Sequence, residues 1–460
     1  MKAHKQTLLV LAMSLAFASS NGWAGGLRTE LQHLRNTHPL LRASDYAIAA
    51  SEQRREAATY GGYLPKVNIS ADTGHEDIST TSWNTVGIVE GTATNSDLKR
   101  RKYGFTIEQN LFNGGKTLAT VSLATLDEAI KKEEAKATSQ DITLEAIVAY
   151  MQVLRNQLLI DLARINERTT LEQLDLEKKR VEKGGGVAVD ELQAATRLQI
   201  VRERRVFYEQ SMRDAAAAYE QVYGKKPDFI GLEDLDSYTK LLPADVDAAL
   251  AFGVGANPRM VVTKLQSAKA QKMIAMEQAG LFPNLDLAMT HNRERNVGGQ
   301  AYKSEDSVLL RMSWNLFSGG ETLKRSSAAR LEHKEALERE IGALRKTSES
   351  VRMAWNQYEK GNERLNLLEQ ATQTSKGVME GRKKMRDAGK ETALAVLDAE
   401  VEYFGVLSNK VNAMIDARLG SYRLLHALGM LDMNAFNLDT EPFELPVRPF
   451  DDSIRNLVSQ

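Results

Sequence analysis

The sequence contains no cysteine. That absence excludes disulfide scaffolds, thiolate zinc sites, iron–sulfur clusters and cysteine nucleophiles. Proline is scarce, with nine in 460 residues, and none falls within 66–226 or 284–441. Proline breaks helix interiors and central strands, so both windows are free to be long regular structure. Aromatic side chains make up 6% of the chain. Charge is abundant at 26% yet nearly cancels, leaving a net of −1. A nucleic-acid binder would show a basic excess. The longest apolar run, Thr7 to Phe17, is too short for the ~20 residues that a spanning helix needs.

That run reads instead as the core of a signal peptide. Lys2 and Lys5 precede it, and small residues at Gly22 and Ala24 follow, the pattern of a secretory leader cut after Ala24. No cysteine stands at the cleavage site, so an N-terminal lipid on Cys is excluded. The mature chain is expected in the periplasm, outside the cell, or in a membrane as a β-barrel.

The prolines expose a tandem repeat. His38-Pro39 and Asn257-Pro258 each precede a helical stretch, which ends at Tyr63-Leu64-Pro65 or Leu281-Phe282-Pro283. Further on, Asn110-Leu111-Phe112-Asn113-Gly114-Gly115 recurs as Asn315-Leu316-Phe317-Ser318-Gly319-Gly320. Asp190-Glu191-Leu192-Gln193-Ala194 after Gly184 recurs as Ala395-Val396-Leu397-Asp398-Ala399 after Gly389. Two copies of about 200 residues make one duplicated architecture, too long in period for a solenoid. The organisation expected is a signal peptide (1–24), a first repeat (25–228), a linker (229–255), a second repeat (256–430) and a tail (431–460).

Within each repeat the hydrophobic period changes. After the proline motif Val67, Ile69 and Ala71 alternate with Asn68, Ser70 and Asp72, and Leu285, Leu287 and Met289 alternate with polar residues. Period two with one apolar face predicts strands. Alternation resumes at Tyr103, Phe105, Ile107 and at Val308, Leu310, Met312. This gives β-hairpins over 66–112 and 284–317, with polar tip loops at 74–97 and 292–304. After each Gly-Gly pair the chain turns helical over 116–183 and 321–388. Leu144, Ile147, Met151, Leu154, Leu158, Leu162 and Ile165 keep coiled-coil spacing. Glycines then turn the chain into return helices, about 187–223 and 391–428, closing long helical hairpins over 116–223 and 321–428.

Four strands cannot close a membrane barrel, which needs at least about eight, and bare strand edges are unsatisfied in lipid. The chain must therefore oligomerise, and three copies would supply twelve strands. Tyr103, Phe112, Trp314 and Phe317 fall at or near strand ends, where an aromatic girdle belongs. Glu391, Ala395, Asp398, Glu402 and Asn409 share one helical face, a polar stripe just past the Gly389 turn. No enzyme, cofactor or metal site is expected. The seven histidines form no HExxH motif or close pair, and the glycine runs read as turns, not phosphate loops.

The duplicated Asn/His-Pro, Leu/Phe-Pro, Leu-Phe-x-Gly-Gly and Gly-x5-Asp/Ala-x-Leu-x-Ala motifs resemble those of the TolC family of outer-membrane channel proteins, over about 27–430. The resemblance implies a mixed fold of all-α and membrane β-barrel parts. In it a homotrimer forms a twelve-stranded β-barrel in the outer membrane and an α-barrel in the periplasm. It implies a passive duct in outer-membrane lipid, partnered by a periplasmic adaptor and an inner-membrane transporter of ABC or proton-driven type. An aspartate ring at the periplasmic mouth would fall on Asp398, flanked by Glu391 and Glu402; a second ring position falls on Ala395. A gate link would fall on Asp190, with its partner at Arg386. The Leu-Phe-Asn/Ser-Gly-Gly form is similar to members serving type I secretion of large proteins such as adhesins; small-molecule or multidrug efflux is the alternative. A periplasmic coiled-coil adaptor and a secreted structural or adhesive protein are the competing classes. An adaptor would carry one helical hairpin, not two in tandem.

Overall fold

Helices begin where proline permits them. Pro39 and Pro258 are the first residues of α2 (Pro39–Tyr63) and α6 (Pro258–Gln278), where the missing N–H costs nothing and the fixed φ suits a helix. The computed structural model of the protein describes residues 27–82, 92–228, 242–298 and 300–432. The expected signal peptide, part of the linker and nearly all of the tail lie outside the described residues. The remaining elements, taken in chain order about α2 and α6, begin with α1 (Leu27–Thr37), β1 (Lys66–Ser82), β2 (Thr92–Asn113), α3 (Lys116–Glu182) and α4 (Ala188–Tyr223). Then come α5 (Val246–Ala256), β3 (Asn284–Val297), β4 (Gln300–Ser313), α7 (Glu321–Asp387) and α8 (Ala393–Leu428). The duplication survives in the lengths: α3 and α7 have 67 residues each, α4 and α8 36 each.

Glycine makes the strand-to-helix corners. Gly114 and Gly115, like Gly319 and Gly320, have φ between 63° and 84°, a region that L side chains avoid. A Cβ on Gly114 would also stand 2.4 Å from the Ala279 carbonyl oxygen. At the far end of α7, Gly389 N–H donates to Arg386 O and Lys390 N–H to Met385 O, 2.8 and 2.9 Å. These paired bonds close the helix and reverse the chain.

The chain divides into two compact units, each drawing on both repeats. One takes in Ala43–Ala137 and Pro258–Thr347 and holds a four-stranded antiparallel sheet ordered β1-β2-β3-β4. The register sorts its side chains into two faces. Val67, Ile107, Met289 and Val308 form one row of an apolar face; Asn68, Thr106, Thr290 and Ser307 form a row of the polar face. The pairing shifts between Asn110 and Phe112, leaving Leu111 as the extra residue of a bulge. Downstream of it Phe112 pairs with Leu285 and so joins the apolar face that Ile107 and Phe105 occupy upstream.

The sheet departs from the sequence reading at its tips. Every described residue of the loop expected over 74–97 is strand, as are 292–297 and 300–304, with a turn at Gly298. The alternation disappears there because residues of both faces are polar, while the backbone ladder continues from Asp72↔Lys102 to Ser82↔Thr92. The second hairpin also stops at Ser313 rather than 317.

The other unit takes in Met1–Arg42, Thr138–Asn257 and Ser348–Phe443. Its core joins α1, α3, α4 and α8 through Leu31, Leu34, Ile147, Tyr150, Tyr219 and Tyr422, each fully buried. Tyr223 donates to the Ala146 carbonyl at 2.9 Å and stacks on Tyr219, ring centroids 4.3 Å apart. Burial pushes both phenols above the ordinary tyrosine range. Near the other end of these helices Leu174, Ala194, Leu198 and Leu397 form a small apolar cluster that brings α3, α4 and α8 together at their turns.

Candidate pore constriction at the helical turns

The turns between the paired helices concentrate charge for a local reason. Lys179 and Arg180 close α3, Lys384 and Arg386 close α7, and Asp190 and Glu191 open α4. Each sign matches the helix end it sits on. Thr392 caps α8 by accepting from Ala395 N–H at 3.3 Å. Glu391 therefore precedes the helix and does not belong to the stripe expected to include it. Its carboxylate takes a bond from Arg382 Nη1 at 3.1 Å instead.

Asp398 is exposed on α8, and Arg197 of α4 donates to it at 2.8 Å. Glu402, one turn on, is exposed and has no ion-pair partner among the described residues. Asp190 is half-buried, and Arg386 does not reach it within the chain. Arg386 Nη1 donates instead to Gln173 of α3 at 2.7 Å, and Nη2 to Asp387 at 2.8 Å. The nearest carboxylate in sequence and the amide on α3 together occupy the guanidinium.

The sequence reading missed Arg197, Gln173, Lys383 and Glu400. Glu400 is 2% exposed, and Lys383 Nζ stands 2.7 Å from its Oε1, outside hydrogen-bonding angles. A charged residue on the apolar side of α8, flanked by Ala399 and Val401, was the available signal. The assembled groups are fixed charges and amides; among the described residues no three His, Cys, Asp or Glu gather to hold a metal. Such an arrangement can hold helices together and bias ions.

In the sheet-bearing unit Tyr103 lies on β2 between Ala71 and Arg293, and Phe112 lies beside the bulge. Trp314 and Phe317 lie just past β4, with Trp314 Nε1 donating to the Leu281 carbonyl at 3.1 Å. All four rings are exposed, Phe317 by 84%. Phe105, Phe282 and Tyr302 are also exposed and were not among the expected girdle. His291 bonds Asp306 and stacks on Phe105, ring centroids 5.3 Å apart.

Residues 31–225 and 255–430 match the family model described as outer membrane efflux protein. Alkaline protease secretion protein AprF of Pseudomonas aeruginosa is 24% identical over 84% of this chain and 81% of its own. Outer membrane protein TolC of Vibrio cholerae is 23% identical over 92% of this chain and 95% of its own. Among solved structures, the outer membrane protein VceC from Vibrio cholerae superposes with a TM-score of 0.74 at 17% identity, covering 88% of this chain and 96% of that one.

Proposed function

The chain belongs to the outer membrane efflux protein family, and from that premise we propose that three copies form the exit duct of a tripartite export machine serving type I secretion of a large protein such as an adhesin. It is an outer-membrane channel protein extending into the periplasm. The observation that carries the duct reading is the sheet: four strands, one apolar face, one polar face, and the outer edges of β1 and β4 unpaired among the described residues. In lipid such edges cannot stay open, and three sheets joined edge to edge give a twelve-stranded barrel with a polar lumen.

A periplasmic adaptor and an inner-membrane transporter would dock to the helices and load the duct. At its periplasmic mouth, Asp398 from each copy narrows the pore, with Glu402 behind it and Glu391 at the turn. Asp190 and Arg386 flank the same mouth, and Arg197, Gln173 and the Lys383–Glu400 pair support the closed arrangement. Tyr103, Phe112, Trp314 and Phe317 serve as the aromatic girdle.

Light scattering on the detergent-purified protein is expected to give a trimer; a stable monomer refutes the architecture. For cargo, the support is AprF, named for protease secretion, together with the Leu-Phe-Asn/Ser-Gly-Gly motifs. Small-molecule efflux is the second reading, favoured by the family's own description. Deleting the gene decides between them. Loss of one large protein from the culture medium with unchanged drug susceptibility supports secretion; unchanged medium with increased susceptibility supports efflux.

A further inference from the structure

The apolar face of the sheet changes character toward the hairpin tips. Its rows run from Leu285 and Met312, through Leu287 and Leu310, to Val67, Ile107, Met289 and Val308. The next row is Ile69, Phe105, His291 and Asp306. Above it lie Ala71, Tyr103, Arg293 and Ser304, then Thr73, Arg101, Arg295 and Tyr302. Three arginines thus enter within two rows, and the register sets Arg101 directly opposite Arg295.

All three arginines are exposed, and none makes an ion pair or side-chain hydrogen bond among the described residues. The polar face at the same height is different: Lys102 meets Glu294 at 2.8 Å, Arg100 meets Asp72 at 3.1 Å, and Lys303 meets Glu305 at 2.9 Å. On the apolar side Asp306 is taken by His291, and Ser304, Thr73 and Tyr302 carry no charge. Like charges directly across a strand pair destabilise it, so this cluster calls for an anion from outside. Guanidinium forks match the oxygens of a phosphate.

The height of the cluster says where that anion comes from. From Leu285 to Arg293 is eight residues, about 27 Å along a strand at ~3.4 Å each. With a tilt of ~40°, this is roughly 20 Å of membrane depth, against an apolar band ~25 Å tall. The arginines therefore stand where hydrocarbon gives way to headgroups, beside two tyrosines, Tyr103 and Tyr302, of the kind that fit such a boundary. The helices leave the sheet at its other end, toward the periplasm, so this boundary faces the cell exterior.

We propose that Arg101, Arg293 and Arg295 form a binding site for the phosphate headgroups of outer-leaflet lipid. The site is independent of what the duct carries. It rests on the placement in the outer membrane and on the outward orientation of the apolar face.

The full-length protein, reconstituted into phosphatidylcholine nanodiscs containing lipid A in phosphorylated or dephosphorylated form, tests this by native mass spectrometry. The wild type is expected to retain the phosphorylated form preferentially. Combined Arg101→Gln, Arg293→Gln and Arg295→Gln should cut retention at least about fivefold, the loss of several charge-assisted bonds. Lys102→Gln, on the opposite face, should leave it unchanged. Equal retention by the triple variant, or no preference for phosphorylated lipid in the wild type, overturns the proposal. Displacement by millimolar inorganic phosphate would identify a free-anion site and overturn it as well. If the triple variant does not assemble, Arg293→Gln alone and the two lipid A forms on wild type still decide.

Discussion

Arg197 Nη2 lies 2.8 Å from Asp398 Oδ1, so the return helices of the two repeats are tied together within about three turns of their starts. The expected ring residue is thus already engaged by a cation of its own chain. Both side chains are at least a third exposed, and such a pair is worth only about 0–1 kcal/mol, enough to bias a gate and little more. Arg197→Ala is expected to raise conductance in planar bilayers and to increase cation preference by unmasking Asp398. Asp398→Ala is expected to lower cation preference, since a fixed charge at a constriction concentrates counter-ions. Unchanged selectivity in Asp398→Ala would place the constriction elsewhere.

Lys383 and Glu400 should behave differently, because Glu400 is buried. Removing Lys383 strands a carboxylate away from water, at a cost on the order of 3–5 kcal/mol. Lys383→Met is expected to lower the thermal midpoint more than Glu400→Gln, which keeps the shape and discards the charge. Scanning calorimetry or a heat-modifiability gel measures the difference; equal midpoints in the two variants would show that the stranded carboxylate adds no cost.

His38 sets a pH dependence. It is 6% exposed, its Nδ1 has no hydrogen-bond partner, and burial holds its pKa below the usual value of 6.5, partly opposed by Glu145. The unfolded chain takes up a proton as pH falls through 6.5, whereas the folded chain resists until lower pH. Stability contributed by neutral His38 is therefore present above 6.5 and is lost as pH falls toward the folded value. The gap between melting temperatures at pH 7.5 and about 5 should be narrower in His38→Gln than in the wild type.

Leu111 can be tested by removal. With Leu111 gone, Phe112 follows Asn110 directly, and period-two alternation keeps it opposite Leu285 on the apolar face. Deleting Leu111 would therefore leave a regular ladder and remove only the local bend that a bulge makes. A heat-resistant oligomer is the expected result, read by gel; its loss would show that the bend itself is needed.

The hairpin tips are shorter than their polarity suggests. A tag inserted after Gly298, in the described turn, should be tolerated and reach antibody on intact cells. The same tag after His291 should abolish assembly, because it interrupts pairing with both Phe105 and Asp306. Labelling only after the outer membrane is opened would invert the topology.

Much of this protein is determined by local sequence. Proline-free windows, a hydrophobic period that changes from two to three and four, and Gly-Gly and Gly389 turns decide strands, helices and corners, because backbone restrictions act within a few residues. The duplication is equally plain. Pairing partners are another matter. That Arg386 takes Gln173, that Asp398 takes Arg197, and that Glu400 faces inward follow from which helices pack together and at what height. Residues some 200 positions apart carry no sequence mark of meeting. The strands beyond Asp72 and Asn292 were hidden for a related reason. Where both faces of a sheet are polar, only backbone hydrogen bonds to a partner strand keep the chain extended, and those depend on the neighbour rather than on the side chains themselves.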